Sequence, residues 1–422
     1  MERIKSISNI FHLAFLFLTI YIFFRHTNFF FYFSIALFII FHIIVFTKEK
    51  MKTFIIDDKF LLTIFLFFVI LILNVVYSSD LWYSLSIFID NYFFGFIIMM
   101  SIYFYLCLNL GNILIIFRLL LLTYIIFLFF LLYYVLTQCS LNVYCYYKIL
   151  VDSFFYKATI LRNPLIIIQS GLLLILVISL ASFLLEKSKR RFLYLFLTLI
   201  SLSYIMILSR RACLLGLGIG FFIVALRFFK DKDFRFKLSI CLLLLSLIFI
   251  FSIFIFLNKK FQAHFLARDK SLIEKGITCE INKVGSLELR LCSWKIQLKH
   301  LVTHSLILGS GLGMRLQKEY MIKNNLDPMK LGNPHNTYIN IWMQSGFLGL
   351  VFFMIFLGMT LKKAFSLINS KCYEHQVVGI SFTTLWIAYL VLMMFFGIQE
   401  GPRFTPFWIT AGIIWEYARR ET

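Results

Sequence analysis

GNPHNTYINIWMQSGFLGL, residues Gly332 to Leu350, joins a short turn-forming run to a long apolar one. Gly332 and Pro334 break regular structure, Asn336 and Thr337 are good helix-capping residues, and from Tyr338 onward the chain is largely apolar. His335 is the one side chain in this stretch able to carry charge, and it stands where the polar segment meets the apolar one. This is how a membrane helix begins, with its polar cap in water and its body in lipid.

The rest of the chain has the same character. Of 422 residues, 61% are hydrophobic, 19% aromatic and only 14% charged. Mean hydropathy is +0.90, well outside the range of soluble domains. Apolar runs between polar breaks give about twelve spans, from Ser8 to Phe24, Phe29 to Phe46, Phe60 to Tyr77, Phe93 to Leu108, Ile113 to Leu136 and Leu165 to Leu185 in the first half. The remainder are Phe192 to Leu208, Ala212 to Phe228, Leu238 to Leu257, Tyr338 to Leu361, Val377 to Phe396 and Phe404 to Tyr417. The expected fold is an all-α integral membrane protein with three regions: helices in 1–257, one large outer loop in 258–337 and further helices in 338–422. The first apolar run has no small-residue cleavage site and reads as a retained helix.

A net charge of +21 raises nucleic acid as a partner, but the basic residues form short clusters between apolar runs rather than one continuous face. Lys48, Lys50, Lys52, Lys187, Lys189, Arg190, Arg191, Lys230, Arg235, Lys362, Arg419 and Arg420 fall on one side of the expected topology. The positive-inside rule makes that side cytoplasmic, with both termini inside. The opposite side carries short links, among them Ser78 to Tyr92 and Ser209 to Arg211, and the large loop.

Eight cysteines show no zinc or haem spacing. Cys139 with Cys145, and Cys279 with Cys292, fall in outer segments where a disulfide can form; the alternative, preferred on the sequence alone, is that all are small apolar fillers. Within the loop, Ser286 to Leu301 places Leu287, Leu291, Trp294 and Leu298 at helical spacing, with Ser286 as a candidate N-cap. It reads as an amphipathic helix lying on the membrane face.

Four basic positions stand out for chemistry. Arg210 and Arg211 interrupt two apolar runs at the outer membrane edge, where they either bind an anion or snorkel to lipid headgroups. Arg290 lies on the loop helix near Lys295 and Lys299 and either closes over the same surface or is a solvated face. A guanidinium offers phosphate a planar fork of donors that stays charged. His335 is the candidate proton acceptor, against a structural role. The glycines of GSGLG, Gly309 to Gly313, can expose backbone N–H groups to phosphate or mark a turn. Outer carboxylates are sparse and unpaired, which argues against a metal cluster or a two-carboxylate glycosidase. No cofactor is implied.

At these residues the chain resembles the O-antigen ligase family, within a group that also holds O-antigen polymerases and some protein O-oligosaccharyltransferases. The resemblance rests on RACLL at Arg211 to Leu215, on HNTYINIWMQSG at His335 to Gly346, and on SLELRLCSWKIQLKHLVTHSLILGSGLG between them. Gln344 stands where relatives commonly have Glu. The resemblance implies a GT-C-type glycosyltransferase at the periplasmic face of the inner membrane. Its donor would be undecaprenyl-diphosphate-linked O-antigen and its acceptor lipid A-core, with inversion at the anomeric carbon and no metal. Arg211, Arg290 and His335 would be catalytic, and Arg210 and Asn336 would help bind substrate. A polymerase shares the donor and typically shows two arginine-rich outer loops, where only one large loop is visible here. A lipid-linked glycan flippase would show inverted repeats, broken helices and midplane charges.

Overall fold

The computed structural model describes residues 2–24, 28–48, 58–78, 80–108, 113, 115–126, 164–185, 188, 191–207, 211–228, 286–304, 306–307, 309–312, 319, 322–323, 336–395 and 405–421. All regular structure among them is helical. In chain order the elements are α1 (Glu2–Phe24), α2 (Asn28–Lys48), α3 (Asp58–Val76), α4 (Leu81–Phe88), a π turn (Ile89–Phe93) and α5 (Phe94–Cys107). They continue as α6 (Pro164–Leu185), α7 (Arg191–Ile207), α8 (Arg211–Phe228), α9 (Ser286–His304), α10 (Thr337–Ile368), α11 (Tyr373–Phe395) and α12 (Thr405–Glu421). Ile115–Ile126 is a further short apolar helix.

By length and composition, Leu81–Cys107, Thr337–Ile368 and Tyr373–Met394 suffice to cross a membrane. Most helix bounds fall within a few residues of those the apolar runs suggest. One link expected on the outer side does not: Ser78 to Tyr92 is helical from Leu81, because Asp80 caps α4 by accepting from the Tyr83 N–H at 3.1 Å. The π turn then joins α4 to α5 as one continuous element, so the link shrinks to the residues before Leu81. The expected span at Leu238 to Leu257, the cysteines Cys139, Cys145 and Cys279, and most of the large loop lie outside the described residues.

The helices pack as neighbours in sequence, α1 on α2, α6 on α7 and α10 on α11, and also at long range, α5 on α12, α3 on α10 and α8 on α11. Lipid is as apolar as the side chains, so packing and interhelical hydrogen bonds must hold such a bundle together. Rings supply much of the contact: Trp386 stacks on Phe407 at 4.5 Å and Phe11 on Tyr105 at 3.8 Å. Indole N–H groups are paired across helices, Trp386 to the Leu357 carbonyl and Trp415 to Thr360, both at 3.0 Å. Each such bond is worth about 1 kcal/mol inside a membrane. At the end of α12, the fully buried Glu416 carboxylate accepts from Arg419 and Arg420, and Arg420 also reaches the Leu106 carbonyl at 2.6 Å. This fastens the last helix to the end of α5.

Candidate functional site

The residues around the opening motif are built on α10. Asn336 is its N-cap: the side-chain oxygen accepts from the Ile339 N–H at 3.1 Å, while the amide nitrogen donates to the Met394 carbonyl of α11, also at 3.1 Å. Both ends of this amide are therefore engaged by the protein. Two residues on, the Tyr338 hydroxyl donates to the Leu390 carbonyl at 2.9 Å. The N-terminal end of α10 is thus sewn to the C-terminal end of α11.

Nine residues into α10 the helix breaks. Gly346 has φ 71° and ψ −176°, a backbone region open essentially to glycine alone. In an unbroken helix the Phe347 N–H would bond to the Met343 carbonyl. Here Phe347 donates instead to the Leu306 carbonyl at 3.0 Å, and the Met343 carbonyl accepts from the backbone N–H and hydroxyl of Ser310 at 2.7 and 2.8 Å. The Trp342 indole N–H also reaches the Leu306 carbonyl, at 3.2 Å. The turn after α9 therefore supplies both partners that the broken rung lost. Its own Gly309, at φ 76°, lies so close that a Cβ there would sit 2.5 Å from the Gly346 nitrogen. Gly309 therefore makes a turn lodged in a helix break, and the Ser310 N–H is committed to Met343 rather than available to a phosphate.

A broken helix is one of the features expected of a transporter. This one is bridged by a segment outside the helix that pairs with both groups of the broken Met343–Phe347 rung.

Arg211 opens α8, as the apolar pattern anticipates within one residue. The glycines that follow let α8 press against α11: a Cβ on Gly216 would meet the Ala388 carbonyl at 2.9 Å, and one on Gly220 the Thr384 carbonyl at 2.5 Å. Four residues forward on α8 match four back on α11, so the two helices run antiparallel. The first turn of α8 then lies level with the last turn of α11, the same end to which Asn336 is bonded. This convergence could not be read from the separate motifs, although the GLGIG spacing after Arg211 is the signal for a close helix contact. Arg210 and His335 lie outside the described residues; Arg211 and Arg290 are described as helical positions.

Arg290 is on α9, which packs against α10. The helix exists as expected, though Ser286 is its first residue rather than its cap. Its buried face also differs. Cys292, Ser293 and Gln297 are buried, with Gln297 donating to Ser293 at 2.8 Å, whereas Leu291, Trp294 and Leu298 are half-buried and Lys295 and Lys299 exposed. The apolar stripe is therefore left at the rim, and the polar one faces the protein. Cys292 is disulfide-bonded, which replaces the apolar-filler reading at this position. Cys107 and Cys372 are free. No three His, Cys, Asp or Glu side chains gather among the described residues in a way that could hold a metal ion.

Residues 196–354 match the sequence family described as O-antigen ligase. The matched stretch runs from within α7 through the Gly346 break and includes Arg210, Arg211, Arg290, His335 and Asn336. No curated protein matches the chain.

Proposed function

From a chain that carries an O-antigen ligase family domain over residues 196–354, we propose a periplasmic-face glycosyltransferase that moves O-antigen polysaccharide from undecaprenyl diphosphate to a sugar hydroxyl of lipid A-core. The observation that carries this reading is that the first turn of the arginine-led α8 and the Asn336 cap, next in sequence to His335, both lie level with the last turn of α11. The disulfide at Cys292, two residues from Arg290, favours an oxidising compartment for that face.

In this reading the acceptor hydroxyl oxygen attacks the anomeric carbon of the donor sugar as the bond to the diphosphate oxygen breaks, inverting that carbon. The hydroxyl proton passes to a ring nitrogen of His335, and the diphosphate departs with the bonding electron pair. Arg211 and Arg290, with Arg210 beside them, would stabilise the charge that develops on the leaving group. No metal need be invoked for that step. Asn336 would act chiefly by orienting the segment that bears His335. The protein would have about twelve spans in a GT-C-type bundle, with both termini cytoplasmic, and the lipid tails of both substrates would remain in the bilayer while their sugars meet at its edge.

The test uses purified protein in lipid nanodiscs with undecaprenyl-diphosphate-linked glycan and lipid A-core, with and without chelator. A ladder of glycosylated lipid A-core, lost in Arg211→Ala and His335→Ala, supports the ligase. Longer glycan on the polyprenyl carrier with no transfer to lipid A-core makes the protein a polymerase instead. Full activity in His335→Ala removes that residue from the mechanism.

A further inference from the structure

The outer half of α10 carries a polar stripe below its cap. Asn340 and Gln344 follow Asn336 at successive intervals of four residues and so share a face of the helix. They are 1% and 4% exposed, and the Gln344 amide nitrogen donates to the Asn340 side-chain oxygen at 3.2 Å. The other half of each amide has no partner: the Asn340 nitrogen lacks an acceptor and the Gln344 oxygen lacks a donor. Both atoms are out of contact with solvent. Buried polar groups are nearly always paired, so a neighbouring donor and acceptor left open one turn apart call for an occupant.

Their chemistry limits what that occupant is. A phosphate offers only acceptors and would find the Gln344 oxygen repulsive; an ammonium offers only donors and would conflict with the Asn340 nitrogen. A hydroxyl satisfies both, accepting from Asn340 and donating to Gln344. The pair is electrically neutral, so it can be desolvated without burying a charge. It lies one and two turns inward of Asn336, on a half-helix fixed at one end by its cap and at the other by the Gly346 joint.

We propose that Asn340 and Gln344 form a subsite for a hydroxyl of one of the two sugar substrates. This rests on the glycosyltransferase reading above. The pair is closed to solvent as it stands. Donor and acceptor sugars share the hydroxyl chemistry, and the two are distinguished by which Michaelis constant moves.

Asn340→Leu and Gln344→Met keep similar volumes and remove the unpaired atoms. With the full-length protein in nanodiscs, the subsite requires a rise of about tenfold or more in KM for one substrate, the size expected when a site loses hydrogen bonds to a substrate hydroxyl. Each single variant also breaks the Gln344–Asn340 hydrogen bond, so Tm is read in the double variant Asn340→Leu/Gln344→Met, where both partners go together and Tm should be unchanged or higher. A higher Tm with both KM values unchanged would mean that the amides hold nothing, and a lower Tm with unchanged KM values would mean a structural water; either overturns the subsite. Thermal shifts on adding undecaprenyl-diphosphate-linked glycan alone, or lipid A-core alone, give a readout independent of turnover. A shift in the unaltered protein that both variants lose supports the subsite even if the transfer reaction itself is not observed; equal shifts in all three proteins refute it.

Discussion

Phe347 gives its backbone N–H to the Leu306 carbonyl at 3.0 Å, across the chain from the Met343 carbonyl that an intact helix would have offered it. That exchange turns a helix break into a joint between the turn after α9 and α10. The half-helix that begins beside His335 is therefore placed by contacts from three elements: α11 through Asn336 and Tyr338, the inner half of α10, and the turn after α9.

Gly346→Ala should prevent the joint from forming. The added Cβ would overlap the Ile307 carbonyl oxygen, and the φ of 71° is strained for alanine. Strain of this kind alone costs roughly 1–3 kcal/mol before any clash. Size-exclusion profiles in detergent should show loss of monodisperse protein, while Gly358→Ala, on the same helix with open space around it, should match or exceed the parent Tm. A well-behaved Gly346→Ala protein would show that the break is not required.

Ser310→Ala removes the hydroxyl bond to Met343 but leaves the backbone one. The expected loss is about 1 kcal/mol, the usual net worth of one hydrogen bond. Tm should fall by a few degrees, and amide exchange should quicken in residues 337–346 more than in the rest of α10. Uniform exchange along the helix would argue against a local joint.

Gly220→Ala tests the placement of α8. Its Cβ would stand 2.5 Å from the Thr384 carbonyl oxygen, so α8 must move away from α11. If Arg211 acts where α8 meets the end of α11, transfer should drop at least tenfold, since displacement of about 1 Å can cost a hundredfold in rate. Gly218→Ala, which meets nothing within 4 Å, should retain activity. Equal rates in the two variants would detach α8 packing from function.

Cys292→Ser should destabilise the region around α9 by about 2–4 kcal/mol, the common range for loss of a native disulfide. Mass spectrometry after alkylation without reductant should find Cys292 protected in the parent protein, and added dithiothreitol should lower its Tm towards that of the variant. Ready alkylation of Cys292 in native protein would contradict the bond.

Membrane character, the all-helical class and most helix limits follow from sequence alone, because an apolar run flanked by polar breaks satisfies its own backbone within the segment. RACLL, the loop helix and the His-led motif were likewise legible as short patterns with their order along the chain. The sequence misleads where a local pattern competes with a distant contact. The leucine stripe of α9 suggests its buried face, yet Cys292, Ser293 and Gln297 take that place, with Cys292 disulfide-bonded and Gln297 paired within the helix to Ser293. Helical spacing cannot register the disulfide.

Tyr338 to Leu361 reads as one uninterrupted span, since Gly346 among apolar neighbours is no stronger a breaker than Gly349 or Gly358. Only the folded chain distinguishes them, by bringing Leu306 and Ser310 to the peptide groups that the break exposes. Sequence determined which segments become helices and enter the membrane, because those properties are set by each segment's own composition. Tertiary structure decided where α10 breaks, which face of α9 is buried and which helix ends meet, because each depends on hydrogen bonds and close approaches between residues far apart in the chain.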